Sequence, residues 1–292
     1  MITLRTQTRT LTFPRPPLLM GIVNINDDSF SGDGTLNPDK ALQIAAQMIR
    51  DGADIIDVGA ESARTNRAPI STDEEINRLA PFLKAWPALV DSLADTPRDS
   101  TQLWPPLLST NTWRPEVIAA ALELGTELVN DMSALPDPTN AKLCAASNAA
   151  LLIMHSVGLP KEAHTNQAWS NIWPALLNFF EEKIHLAEAA GLHREYLVLD
   201  PGIDFAKQRD DNLEVFRHLD RLLSFERPIL LPVSRKTVID DVLHIPNPAD
   251  RDPGTVACTV AGFLRGAHMF RVHNIPALAQ VKKTRLPLLT NS

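Results

Sequence analysis

Eight short apolar runs recur along the 292-residue chain, and each is followed by a segment with helical spacing. The runs are centred near residues 20, 55, 109, 128, 152, 198, 230 and 270. A short apolar run that ends at turn residues is typical of a parallel strand buried on both faces. Eight strand–helix units predict an α/β protein, a closed (β/α)8 TIM barrel. A doubly wound open sheet is the alternative.

Other segments fit around this repeat. Residues 2–13 alternate polar and apolar side chains and predict a short N-terminal strand or hairpin. Thr72, followed three residues later by Glu75, predicts a capping box at the start of the second barrel helix. Residues 86–105 hold charges and prolines and could extend that helix before forming a loop. We expect one domain over residues 1–292.

Composition excludes several classes of function. The net charge is -7 and no basic tract is present, so nucleic acid is not an expected partner. The two cysteines, Cys144 and Cys258, have neither disulfide-framework nor zinc spacing, which favours a cytoplasmic location. The N-terminus lacks the apolar segment of a signal peptide, and no run approaches the roughly 20 residues of a membrane span. Neither G-x-G-x-x-G nor G-x-x-x-x-G-K-[ST] follows a strand, which removes the usual nucleotide motifs.

Polar residues stand where the apolar runs end. In YLVLDPGIDF, residues 196–205, the run reaches Asp200 before a Pro-Gly turn, at the strand end where parallel α/β folds place their chemistry. The polar residues at or just after the run ends are Asn24, Asp57, Glu61, Arg64, Asn111, Asn130, Asp131, His155, Asp200, Ser234, Arg235, Lys236, Arg271 and His273. Singly, each has an ordinary explanation: turn residues, an ion pair for Arg235, a satisfied core position for His155. Together they predict a polar pocket on one rim.

The donors and acceptors of this set indicate a ligand. Asp200 can accept two hydrogen bonds from adjacent N–H groups, as on an aminopyrimidine edge. Asn111 and Asn130 can both donate and accept, and Lys236 can donate to an exocyclic carbonyl. The sequence therefore predicts a flat heterocycle with mixed hydrogen-bonding edges.

A second group predicts an anion site. Arg64, Arg271 and His273 can hold an anion, and phosphate suits these side chains well. Asn24, which precedes an acidic loop, could be an oxygen ligand of Mg2+ bound to that phosphate. The ligand predicted from the residues is a heterocycle with a phosphorylated tail.

These motifs resemble the dihydropteroate synthase family over residues 17–283. The matching stretches are GIVNINDDSFS, GADIIDVGAESAR, NTWRPEVIAAALELG, VNDMS, IMH, LDPGIDF, VSRK and RVH. The resemblance implies a (β/α)8 barrel that forms a homodimer. It also implies a transferase that condenses 6-hydroxymethyl-7,8-dihydropterin diphosphate with p-aminobenzoate in folate biosynthesis. Diphosphate would be released with the help of Mg2+, and sulfonamides would compete with p-aminobenzoate.

The resemblance assigns roles by matched position. The pterin would be held by Asn111, Asn130, Asp200 and Lys236. The diphosphate would be held by Asn24, Arg64, Arg271 and His273, with Asn24 also on the metal. The p-aminobenzoate would be bordered by Phe30, Phe205 and Ser234. Catalytic roles would fall to Arg64, Asn111 and Lys236.

Several positions depart from the family's pattern. Asn111 stands where the family has an aspartate, Asp204 replaces a glycine, and Gly32 replaces a loop aspartate. A carboxamide keeps hydrogen bonds but cannot stabilise positive charge on the pterin ring as a carboxylate can. These departures leave open an alternative, a pterin- or folate-binding paralogue with lost or altered condensation. The related pterin-dependent methyltransferases share the barrel but lack the S-R-K signature.

Overall fold

The structure is a computed structural model that describes residues 1–27, 32, 34–62, 65, 67–158, 160–162 and 167–289, with backbone alone for 285–289. The strands are β1 (Ile2–Arg5), β2 (Thr10–Phe13), β3 (Leu18–Asn24), β4 (Ile55–Gly59), β5 (Leu107–Asn111), β6 (Leu128–Asp131), β7 (Ala150–Met154), β8 (Leu197–Asp200), β9 (Leu230–Leu231) and β10 (Met269–Val272). The helices are α1 (Pro38–Asp51), α2 (Thr72–Ser92), α3 (Pro115–Glu123), α4 (Thr139–Ser147), α5 (Ile172–Ala189), α6 (Arg209–Arg217), α7 (Thr237–Leu243), α8 (Asp252–Leu264) and α9 (Ile275–Leu289).

Strands β3 to β10 form one parallel barrel. Their order is β8-β7-β6-β5-β4-β3-β10-β9, and every neighbouring pair in the sheet that is joined by a ladder runs parallel. An isolated parallel bridge between Leu199 and Ile229 joins β8 to the residue before β9 and closes the circle. The predicted closed barrel is therefore confirmed, and the open-sheet alternative is wrong.

The N-terminal hairpin closes one end of the barrel. Strands β1 and β2 pair antiparallel, which confirms the hairpin that the alternating pattern predicts. The hairpin contributes Leu4, Leu11 and Phe13 to a buried cluster. This cluster also contains barrel residues such as Leu18 and Leu107, the first residues of β3 and β5. Burial of these apolar side chains stabilises the N-terminal end of the barrel. The polar chemistry is left to the opposite rim.

Local signals explain where the helices begin. The Asn37 side chain accepts a hydrogen bond from Lys40 N at the start of α1, as an N-cap does. Helix α2 is capped by Ser71, whose Oγ accepts from Glu74 N, so the predicted Thr72 capping box is wrong. Helix α2 continues to Ser92 before the chain turns, as predicted for this segment. No helix among the described residues is both long and apolar enough to cross a membrane.

Candidate active site

A cavity of about 720 Å³ opens at the carboxyl ends of the barrel strands. The predicted site residues that line it are Asn24, Asn111, Asn130, Asp200, Phe205, Lys236, Arg271 and His273. Ser234 is buried against this group, with its Oγ 2.8 Å from His273 Nδ1. Phe30 and Arg64 lie outside the described residues. Apart from Ser234, the predicted pterin, anion and arylamine residues that the structure describes thus line one cavity.

Asp200 forms the floor of the cavity. It ends β8, is 3% exposed, and its Oδ1 accepts a hydrogen bond from Gly202 N at 2.7 Å. Burial raises the pKa of Asp200 to about 6, and the charge of Lys236 opposes this rise. Gly202 has a φ of 68°, and a Cβ there would lie 1.9 Å from the carbonyl oxygen of His155. The Pro-Gly turn after Asp200 therefore requires glycine, because the loop folds back onto the end of β7.

Asp57 links two groups of predicted ligand residues. Its side chain is fully buried, and Oδ1 accepts from Ser109 Oγ at 2.5 Å. The other oxygen, Oδ2, accepts from Asn130 Nδ2 at 2.9 Å and from Arg271 Nε at 2.7 Å. One carboxylate thus orients a predicted pterin contact and a predicted diphosphate contact. Sequence reasoning placed Asp57 at the rim without a role, although a carboxylate within a fully buried strand needs such partners.

Lys236 and Phe205 form the wall beside Asp200. Lys236 Nζ donates to Ile203 O at 2.6 Å and lies 4.8 Å from the centre of the Phe205 ring. Burial lowers the pKa of Lys236, and the nearby Asp200 carboxylate opposes this fall. An aromatic face and an ammonium group on one wall suit a flat, polar-edged ligand.

The neighbouring Arg235 has a structural role. Its Nε and Nη2 donate to the two carboxylate oxygens of Asp252 at 2.7 and 2.9 Å. This bidentate pair ties the segment after β9 to the first turn of α8. The ion-pair explanation for Arg235 is therefore confirmed. Of the adjacent residues Arg235 and Lys236, only Lys236 lines the cavity.

Two amides in the cavity have buried atoms without hydrogen-bond partners among the described residues. They are Nδ2 of Asn111, a donor, and Oδ1 of Asn26, an acceptor in the segment after β3. An unsatisfied buried polar group costs about 1–3 kcal/mol, so a native protein keeps few of them. Both residues line the cavity, so a ligand with complementary groups can complete their hydrogen bonding.

Two other polar strand-end residues serve the fold. Asp131 is buried, and it accepts from Ser133 N and from Asn140 Nδ2. His155 is buried with its Nδ1 2.8 Å from Lys207 Nζ, which confirms the satisfied-core explanation. Burial lowers the pKa of His155 to about 2, so the ring is neutral.

Glu61, just after β4, contacts residues from three other segments. Its carboxylate contacts Arg114 Nη1 at 2.5 Å and Lys161 Nζ at 2.9 Å. The backbone N–H of Ile70 also donates to Glu61 at 3.2 Å. The buried carboxylate of Glu61 thus ties the segment after β4 to the segments before α2 and α3 and to the segment after β7. Sequence reasoning did not find Lys161, because its loop shows no periodic pattern.

Comparison with known proteins identifies this arrangement. The family model described as "Pterin binding enzyme" matches residues 20–273. Dihydropteroate synthase of Escherichia coli K12 is 34% identical over 260 residues, which cover 89% of this chain and 87% of that protein. The chain belongs to the dihydropteroate synthase family.

Solved structures of dihydropteroate synthases have the same fold. The Yersinia pestis enzyme, solved with a sulfonamide drug complex, superposes with a TM-score of 0.86 at 32% identity, covering 98% of this chain and 99% of that one. The Xanthomonas albilineans enzyme, solved with 4-aminobenzoic acid, gives a TM-score of 0.84 at 28% identity, covering 99% and 100% of the two chains.

The departure at Asp204 has a structural explanation. Asp204 has a φ of 66°, a conformation that glycine adopts easily and that aspartate tolerates. Its Oδ2 accepts from Thr237 N at 2.6 Å, in the first turn of α7, and its Oδ1 accepts from Asn212 Nδ2 at 3.0 Å. The carboxylate thus joins the loop after β8 to the segment that carries Lys236.

Proposed function

We propose that this protein is a dihydropteroate synthase. It joins p-aminobenzoate to 6-hydroxymethyl-7,8-dihydropterin diphosphate and releases 7,8-dihydropteroate and diphosphate. In this reaction the arylamine nitrogen forms a bond to the pterin methylene carbon and loses a proton. The C–O bond to diphosphate breaks, and its electron pair leaves with the diphosphate. The observation that carries the proposal is that side chains suited to bind a pterin and side chains suited to bind an anion line the same cavity.

The pterin would occupy the floor of the cavity. Asp200, ionised above its pKa of about 6, would accept hydrogen bonds from the amino edge of the ring. Lys236 would donate to the exocyclic carbonyl. The unpaired Nδ2 of Asn111 would donate to a ring acceptor, and Asn130 would be held in place by Asp57. These groups are fixed before the ligand arrives, which reduces the ordering cost of binding.

The diphosphate would lie towards β10 and β3. Arg271 is oriented by Asp57, and His273 by Ser234, so both present fixed donors. Arg64 would add a second guanidinium group. A leaving group of high negative charge is stabilised most by such preorganised donors.

The residues on this side fit Mg2+. Among the described residues, no group of three or more His, Cys, Asp or Glu side chains could hold a metal by itself. Asn24 and Asn26 instead bring amide oxygens to the cavity, and Asn26 Oδ1 is buried without a partner among the described residues. Mg2+ in phosphate sites takes few protein oxygens and completes its shell with phosphate and water. Asn24 would hold the ion, which supplies positive charge to the diphosphate.

The p-aminobenzoate would approach over Phe205 and Ser234, with Phe30 completing its border. Phe205 is half-buried at the wall of the cavity, beside the Lys236 ammonium. Ser234 lies against His273, which would place the arylamine next to the diphosphate end of the pterin. Sulfonamides would compete at this position.

The decisive experiment supplies both substrates and Mg2+ and measures diphosphate release together with dihydropteroate formation. We expect equal amounts of the two products and no release when p-aminobenzoate is omitted. A sulfonamide should raise the apparent KM for p-aminobenzoate without changing kcat. Chelation of Mg2+ should stop the reaction and its return should restore it, and an Asn24→Ala variant should need more Mg2+. No release at any protein concentration would reject the proposal.

A pterin- or folate-binding paralogue is the second candidate. The uncharged Asn111 at the pterin position favours it, because a carboxamide cannot stabilise charge that develops on the ring. This candidate predicts tight binding of the pterin diphosphate by calorimetry with no dihydropteroate formed. The product assay separates the two candidates.

The proposal includes a cytoplasmic homodimer. Four large apolar side chains on the adjoining helices α7 and α8 are exposed, namely Val242, Leu243, Val260 and Leu264. Contact between two copies would remove this surface from water. Light scattering should give twice the mass of the 32.2 kDa chain, and Leu264→Glu should reduce it to the mass of one chain.

A further inference from the structure

Lys207 is a buried lysine in the loop that follows β8. Its side chain is 7% exposed, and its Nζ reaches three acceptors. Nζ lies 2.8 Å from His155 Nδ1, 3.0 Å from Gly202 O and 3.0 Å from Phe205 O. An ammonium group has three N–H donors, so these contacts use its whole hydrogen-bonding capacity.

His155 Nδ1 can accept this hydrogen bond only if the histidine ring is neutral. Phe179 packs edge-on against the His155 ring with a centroid distance of 4.8 Å, and burial keeps the ring uncharged. With Lys207 as an ammonium group, Nδ1 of His155 is the acceptor. Burial also lowers the pKa of Lys207 to about 7, so the charge is costly here. A buried charge needs hydrogen-bond partners to offset its desolvation, and two of the three partners here are carbonyls of the loop after β8.

The structure fixed by Lys207 is the loop that follows Asp200, on the floor of the site, and carries Phe205 of its wall. Gly202, whose carbonyl accepts from Lys207, donates its own N–H to Asp200. Phe205, whose carbonyl also accepts from Lys207, presents its ring to the cavity. The backbone N–H of Phe205 donates to Gly202 O at 3.0 Å, so the two anchored carbonyls belong to one turn.

We propose that Lys207 is a positioning residue that holds this turn, so that Asp200 receives the pterin and Phe205 borders the arylamine. The inference rests on the proposed function for the identity of the two ligands. Lys207 contacts backbone carbonyls and His155 and acts through Asp200 and Phe205. Its loss should therefore weaken substrate binding more than it lowers kcat.

Another buried lysine provides a matched control. Lys282 is 4% exposed, and its Nζ contacts both oxygens of Asp54 at 3.0 and 2.8 Å. Asp54 in turn accepts from the backbone N–H groups of Leu19 and Leu103, at the end of the barrel opposite the cavity. Lys282 is thus buried to a similar extent as Lys207, and its replacement breaks a buried ion pair that lies away from the site.

The test compares Lys207→Met, Lys207→Gln and Lys282→Met in the full-length protein. Calorimetry gives the Kd for 6-hydroxymethyl-7,8-dihydropterin diphosphate with Mg2+, and amide hydrogen exchange follows residues 200–207. Lys207→Met should speed exchange there and weaken binding about tenfold or more, since it removes all three hydrogen bonds. Lys207→Gln keeps two donors and should give an intermediate Kd. Lys282→Met should lower the melting temperature while Kd stays within about twofold of the original value.

Two results would overturn the inference. One is unchanged exchange over residues 200–207 and unchanged Kd in Lys207→Met, or in Lys207→Gln if the methionine variant does not fold. The other is a loss of affinity in Lys282→Met as large as that in the Lys207 variants, since the effect would then be one of general stability. If the original protein binds the pterin but forms no dihydropteroate, the proposed function fails while Kd and exchange still test Lys207.

Discussion

The carboxylate of Asp57 on β4 accepts a hydrogen bond from Arg271 Nε on β10 at 2.7 Å. These strands are not neighbours, because β3 lies between them in the barrel. The contact links two strands that share no backbone ladder and gives a predicted diphosphate contact a fixed direction. Asn130, on the other side of Asp57, receives its direction from the same oxygen.

We expect Asp57→Asn to impair binding of the pterin diphosphate. The substitution keeps the size of the side chain but leaves Arg271 without its charge partner, and breaking a buried pair typically costs about 3–5 kcal/mol. Since the Arg271 side chain keeps 21% exposure, we expect a smaller loss of stability, about 1–3 kcal/mol. KM for the pterin diphosphate should rise at least about tenfold. Denaturant unfolding and steady-state kinetics give the two values.

Ser109→Ala is the matched control for Asp57. It removes only the hydrogen bond at Oδ1 and leaves the contacts of Oδ2 with Asn130 and Arg271 intact. We expect a loss of about 1 kcal/mol in stability and a KM within about threefold of the original. Equal kinetic effects in both variants would show that Asp57 does not act through Arg271 and Asn130.

We expect Asn111→Asp to raise the rate of condensation. A carboxylate at this position can stabilise positive charge on the pterin, and one well-placed electrostatic group is worth roughly 10²–10³ in rate. Burial of the new charge opposes the gain, so we expect an increase in kcat of about tenfold. Product formation at saturating substrates measures it.

Asn130→Asp makes the same chemical change on the neighbouring strand. There the new carboxylate would face Asp57 in place of the amide that now donates to it at 2.9 Å. Like-charge repulsion should lower both stability and activity. If the two variants change kcat in the same direction, a local charge effect on the pterin is not the explanation.

The fold was largely predictable because its signals are local. Each barrel strand is a run of apolar residues that ends at a polar residue, as in LVLD before Pro201. The hairpin shows a period of two, and the helices begin at caps such as Asn37. The predicted capping box at Thr72 was wrong because Ser71 also fits the N-cap and the Glu75 carboxylate forms an ion pair with Arg114. A contact with a distant residue outweighed the local motif.

The site was predictable to the level of its strand ends. Residues such as Asp200 and Lys236 follow buried strands, and the barrel brings all strand ends to one rim. The contacts that orient them were not predictable. Lys207 stands in the polar stretch AKQRD, which resembles a solvated loop, and its burial follows from contacts with the β7 end. Long-range pairing of this kind leaves no periodic mark on the sequence.

We expect Asp204→Gly to loosen the loop after β8. The substitution restores the residue that suits a φ of 66°, but it removes the acceptor of Thr237 N at the start of α7 and of Asn212. Loss of a helix cap costs about 0.5–2 kcal/mol. KM for both substrates should rise a few-fold, about twofold to fivefold, because Lys236 is held through the same contact. Asp204→Asn keeps an acceptor and should lie closer to the original in melting temperature and KM; a glycine variant more stable than both would contradict this account.

The affinity for the pterin should depend on the ionisation of Asp200. The folded protein has a pKa of about 6 at this carboxyl, against an ordinary 3.8. Below that pKa the proton competes with the amino edge of the pterin, so Kd should rise about tenfold for each pH unit. Between the two pKa values the folded state binds more protons than the unfolded state, so this group's contribution to stability falls as pH rises and stays low at neutral pH.

Asp200→Asn separates these two effects. The amide can still accept from Gly202 N, but it carries no charge to desolvate. We expect stability above the folded pKa to increase by as much as about 3 kcal/mol, the free-energy equivalent of a pKa raised from 3.8 to about 6. The pterin Kd should become weak and independent of pH. Calorimetric titrations from about pH 5 to about pH 8 measure the pterin Kd, and denaturant unfolding at the lowest and highest of these pH values measures stability. A flat Kd profile in the original protein would mean that Asp200 does not carry the pterin's amino edge.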